Sequence, residues 1–228
     1  MAKTILINGY GPGISKAVAE KFGAEGYAVG LVARNAERLA AGVKELEAKG
    51  VKAVAIPGDL SDANGAREVV KKAREKLGAI GVVQWNVYAS GAGDLLASDP
   101  SEVQGQLNVA VPSLIATVQE ALADLRAAKG AVLVTNGGLG LPDPQIDAAA
   151  VKWKAMGLAV ANAAKHKLVR LLAEQLKPDG VYVGEVMVLS SVKGTAWDSG
   201  NATLEASTIA DKFWQIYTER GELSVKVG

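Results

Sequence analysis

An apolar run over residues 4–7 passes directly into Asn8-Gly9-Tyr10-Gly11-Pro12-Gly13-Ile14-Ser15, and that turn opens onto a helical run over 17–22. Few local patterns limit a fold as tightly. Glycines at 9 and 13 permit positive φ and leave no Cβ between the backbone and anything resting on the turn. The helix behind them offers unpaired N–H groups and the positive end of its dipole, which is where phosphates bind. Strand, glycine turn and helix together predict a site for a dinucleotide pyrophosphate.

The rest of the chain repeats the strand-helix alternation. Strands are predicted near 3–8, 27–33, 51–56, 80–87, 130–136 and 181–188, with a short last one near 222–227. Helices are predicted at about 14–25, 35–49, 62–77, 99–127, 147–176 and 204–219. The strands are Val/Ile/Ala runs without polar alternation, as in a parallel sheet covered on both faces. The expected fold class is therefore α/β, a Rossmann-like doubly wound parallel sheet of about seven strands with helices on both faces. Asn35 and Ser61 are expected N-caps, Gly50 and Gly78 follow helix ends, and Pro178-Asp179-Gly180 stops the long helix. No repeat or linker interrupts residues 1–228, so one domain is expected.

Composition excludes several classes. With 25 basic and 24 acidic side chains the formal net charge is +1, so nothing steers the chain to nucleic acid or an anionic membrane. Lys71, Lys72, Arg74 and Lys76, interleaved with Glu68 and Glu75, read as a solvated helix face. Zero cysteines remove disulfides, thiolate metal sites and a cysteine nucleophile, and no metal centre is expected. Residues 4–7 are too short for the core of a secretion signal, and 77–93 carries Gln84 and Asn86 in place of a membrane span. A cytoplasmic location is expected.

Ligands of such sheets bind where strands end. After the second strand, Ala33 occupies the place where an acidic residue would accept the ribose hydroxyls of NAD, and Arg34 follows, suited to a 2′-phosphate. NADP(H) is thus favoured over NAD(H). Arg38, one turn on, assists or faces solvent.

The spacing Gly9-x-Gly11-x-Gly13 puts Ile14 where the general dinucleotide fingerprint has its last glycine. The pattern Gly9-x-x-x-Gly13-x-Ser15 instead resembles the short-chain dehydrogenase/reductase family, whose turn reads T-G-x-x-x-G-x-G. Asn8 stands for the Thr and Ser15 for the last Gly. Ser15 is then placed to cap the helix or to donate to a phosphate oxygen. Asp59-Leu60 resembles the family's D-[VL] pair, where the Asp meets the adenine amino group; an Asp here also suits a helix cap. Asn86, in Trp85-Asn86-Val87-Tyr88, stands in the family's N-N-A-G and by resemblance stabilises the central strands. Asn108, in Leu107-Asn108-Val109, matches the family's helix asparagine. Residues 167–183 and 209–227 extend the resemblance over essentially the whole chain. It implies a homodimer or homotetramer assembled through the fourth and fifth helices, and a small-molecule substrate.

The family's chemistry is hydride transfer assisted by a Tyr, a Lys four residues later, a Ser and the helix Asn. None of Tyr10, Tyr27, Tyr88, Tyr182 and Tyr217 has a lysine four residues on. Anchored on Leu168-Val169-Arg170, the resemblance puts Leu158 at the Tyr position, Asn162 at the Lys position and Asn136-Gly137-Gly138 near the Ser. Asn162 can still hydrogen-bond a ribose hydroxyl, and Thr195 can reach the nicotinamide carboxamide. Asn108 and Lys154 are the remaining catalytic candidates, Lys154 read as one turn before 158 on the same helix face and more often simply solvated. Tyr88 is read as packing, His166 as surface, and Trp153 as packing over the pocket or a subunit contact. A positioned general acid contributes about 10²–10⁴ in rate, so unassisted ketone chemistry is not expected. The leading expectation is an NADP(H)-binding, short-chain-dehydrogenase-like oxidoreductase acting on an activated iminium or polarised double bond. The rival is a non-catalytic NADP(H)-binding sensor or scaffold.

Overall fold

The computed structural model describes residues 3–195 and 197–228. Its elements are β1 (Thr4–Asn8), α1 (Ile14–Ala24), β2 (Ala28–Ala33), α2 (Ala36–Glu47), β3 (Ala53–Pro57), α3 (Ala63–Leu77), β4 (Val82–Trp85), α4 (Pro100–Ala110), α5 (Pro112–Ala128), β5 (Ala131–Gly137), α6 (Pro144–Lys152), α7 (Met156–Leu176), β6 (Tyr182–Val188), α8 (Ala206–Glu219) and β7 (Ser224–Val227). The strands form one sheet in the order β3-β2-β1-β4-β5-β6-β7, parallel at every pairing. This is the doubly wound parallel sheet that the unalternated strands predict. The order reverses at β1 and β4, where Asn8 lies between Val32 and Trp85, so the binding crevice opens over those carboxyl ends.

Alternate strand residues feed two cores. Ile5, Ile7, Leu31 and Leu133 pack with Val18, Phe22, Leu39 and Phe213 under α1, α2 and α8. Leu6, Val32, Val83 and Val132 pack with Val69, Leu114, Leu125 and Val169 under α3, α5 and α7. Four of the chain's few aromatic side chains gather where α1 meets α8: Phe22 stands edge-on to Trp214 at 5.1 Å, and the Tyr27 and Tyr217 hydroxyls meet at 2.6 Å.

Two long helices expected from the sequence are each broken. The 99–127 helix stops at Val111, whose φ of −124° and ψ of −72° leave the α region, because Pro112 crowds the residue before it. The 147–176 helix is α6 followed by α7, with Lys154 left-handed at φ 51° between them. There the first N–H groups of α7, those of Met156 and Gly157, donate to the carbonyls of Gly93 and Ala92, so a distant loop caps α7 where α6 would have continued. Asn35 caps α2 as expected, but α3 is capped by Asp62, not Ser61. Arg74 departs from a solvated face: its guanidinium reaches Asp124 at 3.0 Å and the Glu120 carbonyl at 2.7 Å, joining α3 to α5.

Candidate functional site

The glycine turn is shaped by close approach. Gly9 has φ 85°, and a Cβ there would lie 2.7 Å from the Asn86 carbonyl oxygen. Its N–H and that of Tyr10 both donate to the Val32 carbonyl, at 3.1 and 2.7 Å. Gly13 has φ 108°, and a Cβ there would lie 2.7 Å from the Thr195 methyl. Gly11 faces open space. Because α1 begins at Ile14, the N–H groups of Ile14, Ser15 and Lys16 have no intrahelical acceptor, the kind of helix start that suits an anion.

Ser15 does not cap α1 through its side chain. Its hydroxyl accepts from the Gly11 N–H at 2.9 Å and donates to the Gly11 carbonyl at 3.2 Å, so it closes the turn on itself while Gly13 occupies the cap without a side-chain bond. The Thr195 hydroxyl likewise donates to the Val192 carbonyl at 2.7 Å, leaving its methyl over Gly13.

On the β2–β3 side, Arg34 and Arg38 are exposed. Among the described residues no side-chain hydrogen bond or ion pair holds either guanidinium. The Asn35 side chain accepts the Arg38 N–H at 2.8 Å, which fixes the first turn of α2 just after Arg34. Asp59 is exposed and accepts the Ser61 N–H at 3.0 Å, an Asx turn in place of a helix cap, while Leu60 beside it is buried.

At the centre of the sheet, Asn86 contributes backbone: its N–H donates to the Asn8 carbonyl at 2.9 Å. The side chains that tie the central strands are Asn8 and Gln84, both fully buried. Asn8 Nδ2 donates to the Gln84 carbonyl at 3.1 Å, and Gln84 Nε2 to Thr135 Oγ1 at 3.1 Å. So the strand-tying role implied for Asn86 falls to its neighbours.

Past β5 the polar groups turn inward. Asn136 Nδ2 donates to the Asn162 carbonyl and to Glu185 Oε2, both at 3.1 Å. Glu185, in mid β6, is fully buried and also accepts from Ser224 Oγ at 2.8 Å and pairs with His166 Nδ1. His166 is therefore partnered under α7, not a plain surface residue. Asn162 is buried, and its amide nitrogen would lie 2.7 Å from a Cβ on Gly137.

Above this network lies a cavity of about 10 Å³ walled by Val87, Tyr88 and Ala89 after β4, Gln106, Val109 and Ala110 of α4, and Leu158, Ala161, Asn162 and Lys165 of α7, about the size of one water molecule. Lys165 is 5% exposed. Burial pushes its ammonium down to about 8, against the opposing pull of the Glu185 carboxylate. Gln106 donates to the Gly91 carbonyl through Nε2, and its Oε1 is buried without a partner among the described residues. Lys165 was not foreseen, although its place in the stripe 158, 161, 162, 165, 169 was a signal that it faces inward.

Of the other candidates, Tyr88 borders this cavity, while Asn108, Lys154 and Trp153 fall outside it. Asn108 is not among its walls, since Gln106, Val109 and Ala110 form that face of α4. Lys154 is exposed on the left-handed corner between α6 and α7, so it shares no helix face with Leu158. Tyr88 is 51% exposed, not packed inside, and its ring lies 6.3 Å from that of Trp197. Trp153 is exposed as well.

Known proteins share this architecture. A metagenomic short-chain oxidoreductase solved in complex with NADP superposes with a TM-score of 0.83 at 22% identity, over 100% of this chain and 97% of that one. A short chain dehydrogenase of Pseudocercospora fijiensis is 29% identical over 120 residues, which are 50% of this chain and 38% of that protein. An uncharacterised oxidoreductase of Staphylococcus aureus is 25% identical over 231 residues, covering 98% of this chain and 94% of the relative. The family profile for short chain dehydrogenase matches residues 3–201. With the glycine turn, the switch at β1 and β4 and the matched length in agreement, the chain belongs to the short chain dehydrogenase family.

Proposed function

We propose that this protein binds NADP(H) across the β1–β4 crevice and works as an oxidoreductase on small molecules whose acceptor group is already polarised. The observation that carries the reading is the pairing of an open glycine turn with an unengaged guanidinium at the next strand end. Gly11 opens on free space and Gly13 has no Cβ to fill the cradle under Thr195, while the first N–H groups of α1 supply the anion site. Arg34 is free to form charge-assisted bonds with a 2′-phosphate, and Ala33 puts no carboxylate against it. These residues fit the dinucleotide, and the solved relative bound to NADP supports the choice.

In this reading the Gly9–Gly13 backbone and Ile14 hold the pyrophosphate, Ser15 fixes the turn, Arg34 takes the 2′-phosphate, and Asp59 with Leu60 receives the adenine. Asn86, Asn162 and Thr195 line the nicotinamide half. The bound cofactor would supply a hydride. Leu158 offers no proton and Asn162 no charge, which is why a polarised double bond or an iminium suits the site better than a plain ketone. The same two residues favour a second reading, a non-catalytic NADP(H)-binding sensor or scaffold. A homodimer or homotetramer in the cytoplasm is the proposed setting. No helix among the described residues is long and apolar enough to cross a membrane.

NADPH fluorescence and thermal shift, run against NADH with Arg34→Ala alongside, test the binding claim. Binding of NADPH that weakens in R34A supports it, and absence of NADPH binding overturns it. Single-turnover NADPH oxidation with a panel of iminium and enone acceptors then separates enzyme from sensor.

A further inference from the structure

Lys165 is a charge that neither the cofactor contacts nor the fold accounts for. It and Glu185 are the two charged residues buried below a tenth exposure among the described residues, yet they form no ion pair with each other. No hydrogen bond holds the Lys165 amine among those residues either. Glu185 is instead taken up by His166, Asn136 and Ser224.

The direction of the side chain follows from the helix. Side chains on a helix lean toward its N-terminus, and Lys165 lies about 4.5 Å along the axis from Asn162 at three residues' rise. Its four-carbon stem thus carries the ammonium back toward the level of Asn162, into the cavity that both line with Leu158 and the unpartnered Gln106 Oε1. That cavity has Val87, Tyr88 and Ala89 as a wall, the segment just after β4. A dinucleotide with its pyrophosphate on the glycine turn and its adenosine toward Arg34 and Asp59 has the β4–β5 side left for its other half. In the NADP(H) reading, the ammonium would therefore lie behind the wall facing the nicotinamide half of the cofactor.

A nicotinamide ring is cationic when oxidised and neutral when reduced, so an adjacent buried cation opposes one redox state and not the other. We propose that the Lys165 ammonium selects the redox state of the bound cofactor, so that the protein holds NADPH in preference to NADP⁺. This rests on the NADP(H) reading above and adds a direction to it, since a site that retains the reduced form is poised as a reductase or as a sensor of NADPH.

The charge is adjustable. With burial holding Lys165 at about 8, the ammonium is largely present at pH 7 and largely lost by about pH 9.5. The groups around it are Glu185 from β6 with its partner His166 on α7, Tyr88 from the loop after β4, and the neutral amides of Gln106 and Asn162. Glu102, one turn from Gln106 on α4, is engaged by the Ala92 N–H.

The test is calorimetric titration of the full-length protein and its Lys165→Met variant with NADPH and with NADP⁺, at pH 7 and about pH 9.5. The readout is the ratio of the two dissociation constants, in which the 2′-phosphate and its titration cancel. At pH 7 the NADP⁺/NADPH ratio is expected to be roughly tenfold larger in the wild type than in K165M, from Coulomb repulsion across a low-dielectric wall. At the higher pH the wild-type ratio falls to that of the variant. The wild-type pH dependence stands without the variant should K165M fail to fold. Both nucleotides binding with a ratio unmoved by pH and substitution overturns the inference alone. Neither nucleotide binding overturns the NADP(H) reading, and the inference with it.

Discussion

On the β2–β3 side of the crevice, Arg34, Arg38 and Asp59 are exposed, and among the described residues neither guanidinium has a side-chain partner and the carboxylate accepts a single backbone N–H. Under α7, on the β5–β7 side, Asn136, Glu185, His166 and Ser224 are engaged with one another. The difference is one of what the polar groups are for. Exposed, unpartnered charge adds little to folding and is available to a ligand. Buried, fully bonded charge is part of the fold, and removing one member leaves the others unsatisfied. Substitutions on the two sides should therefore separate cleanly into losses of affinity and losses of stability.

The largest expected effect is on the buried side. Glu185→Ala strips Asn136 Nδ2, Ser224 Oγ and His166 Nδ1 of their shared acceptor, at an expected cost of about 3–5 kcal/mol in unfolding free energy, measured by urea denaturation. A loss below about 1 kcal/mol would break the comparison, because it would mean that the network is solvated and dispensable.

Lys165→Met comes next and has the opposite sign. The folded pKa of about 8 lies below the ordinary lysine value of 10.5, so the unfolded chain binds more protons between those values and wild-type stability rises with pH through that window. Below about pH 8 the penalty of the buried ammonium is present in full. K165M is expected to be more stable than wild type by about 3 kcal/mol at pH 7, an upper figure from the displacement in pKa. The gain fades as pH approaches 10. Equal stability at pH 7, or a gain that persists at pH 10, would place the ammonium in water.

Much of the fold is readable locally, and the misreadings without a local signal are long-range. Continuous Val/Ile/Ala strands and the glycine turn announce a parallel sheet and its crevice from their own residues. The break at Val111 had a local signal in Pro112. The break at Lys154 had none, because it depends on carbonyls of Ala92 and Gly93 about sixty residues earlier. Charged residues are expected outside, which hid Lys165 and Glu185. Two patterns would have exposed them: Lys165 falls on the stripe of Leu158, Ala161 and Val169, and Glu185 interrupts the otherwise apolar run of β6. Ser15 was placed correctly on the turn, but its partner could not be read, since a hydroxyl at a helix start has several acceptors within reach and only the folded turn selects Gly11.

On the open side the effects are smaller and fall on binding. Arg34→Ala removes a side chain with no partner among the described residues, so stability should change by less than about 0.5 kcal/mol. NADPH affinity should fall by roughly ten- to a hundredfold, the worth of charge-assisted hydrogen bonds at about 1.5–3 kcal/mol, while NADH affinity stays put. An equal loss for both nucleotides would move Arg34 from the 2′-phosphate to the pyrophosphate.

The smallest effect sharpens the comparison most, because it sits on a residue with both kinds of role. Asn35 caps α2 through the Arg38 N–H, and it adjoins Arg34 at the strand end. Asn35→Ala should cost about 1 kcal/mol of stability through the lost cap and weaken NADPH only as far as the first turn of α2 loosens. Asn35→Asp keeps an equally good cap and so keeps the stability. It also sets a carboxylate beside Arg34, and NADPH binding should then weaken several-fold, in a salt-dependent manner, with NADH unaffected. Stability and affinity moving together in both variants would show that α2 acts on the nucleotide through its fold. Stability lost in N35A and NADPH selectivity lost in N35D would show the exposed charge acting on the ligand directly, as the unpartnered guanidinium of Arg34 implies.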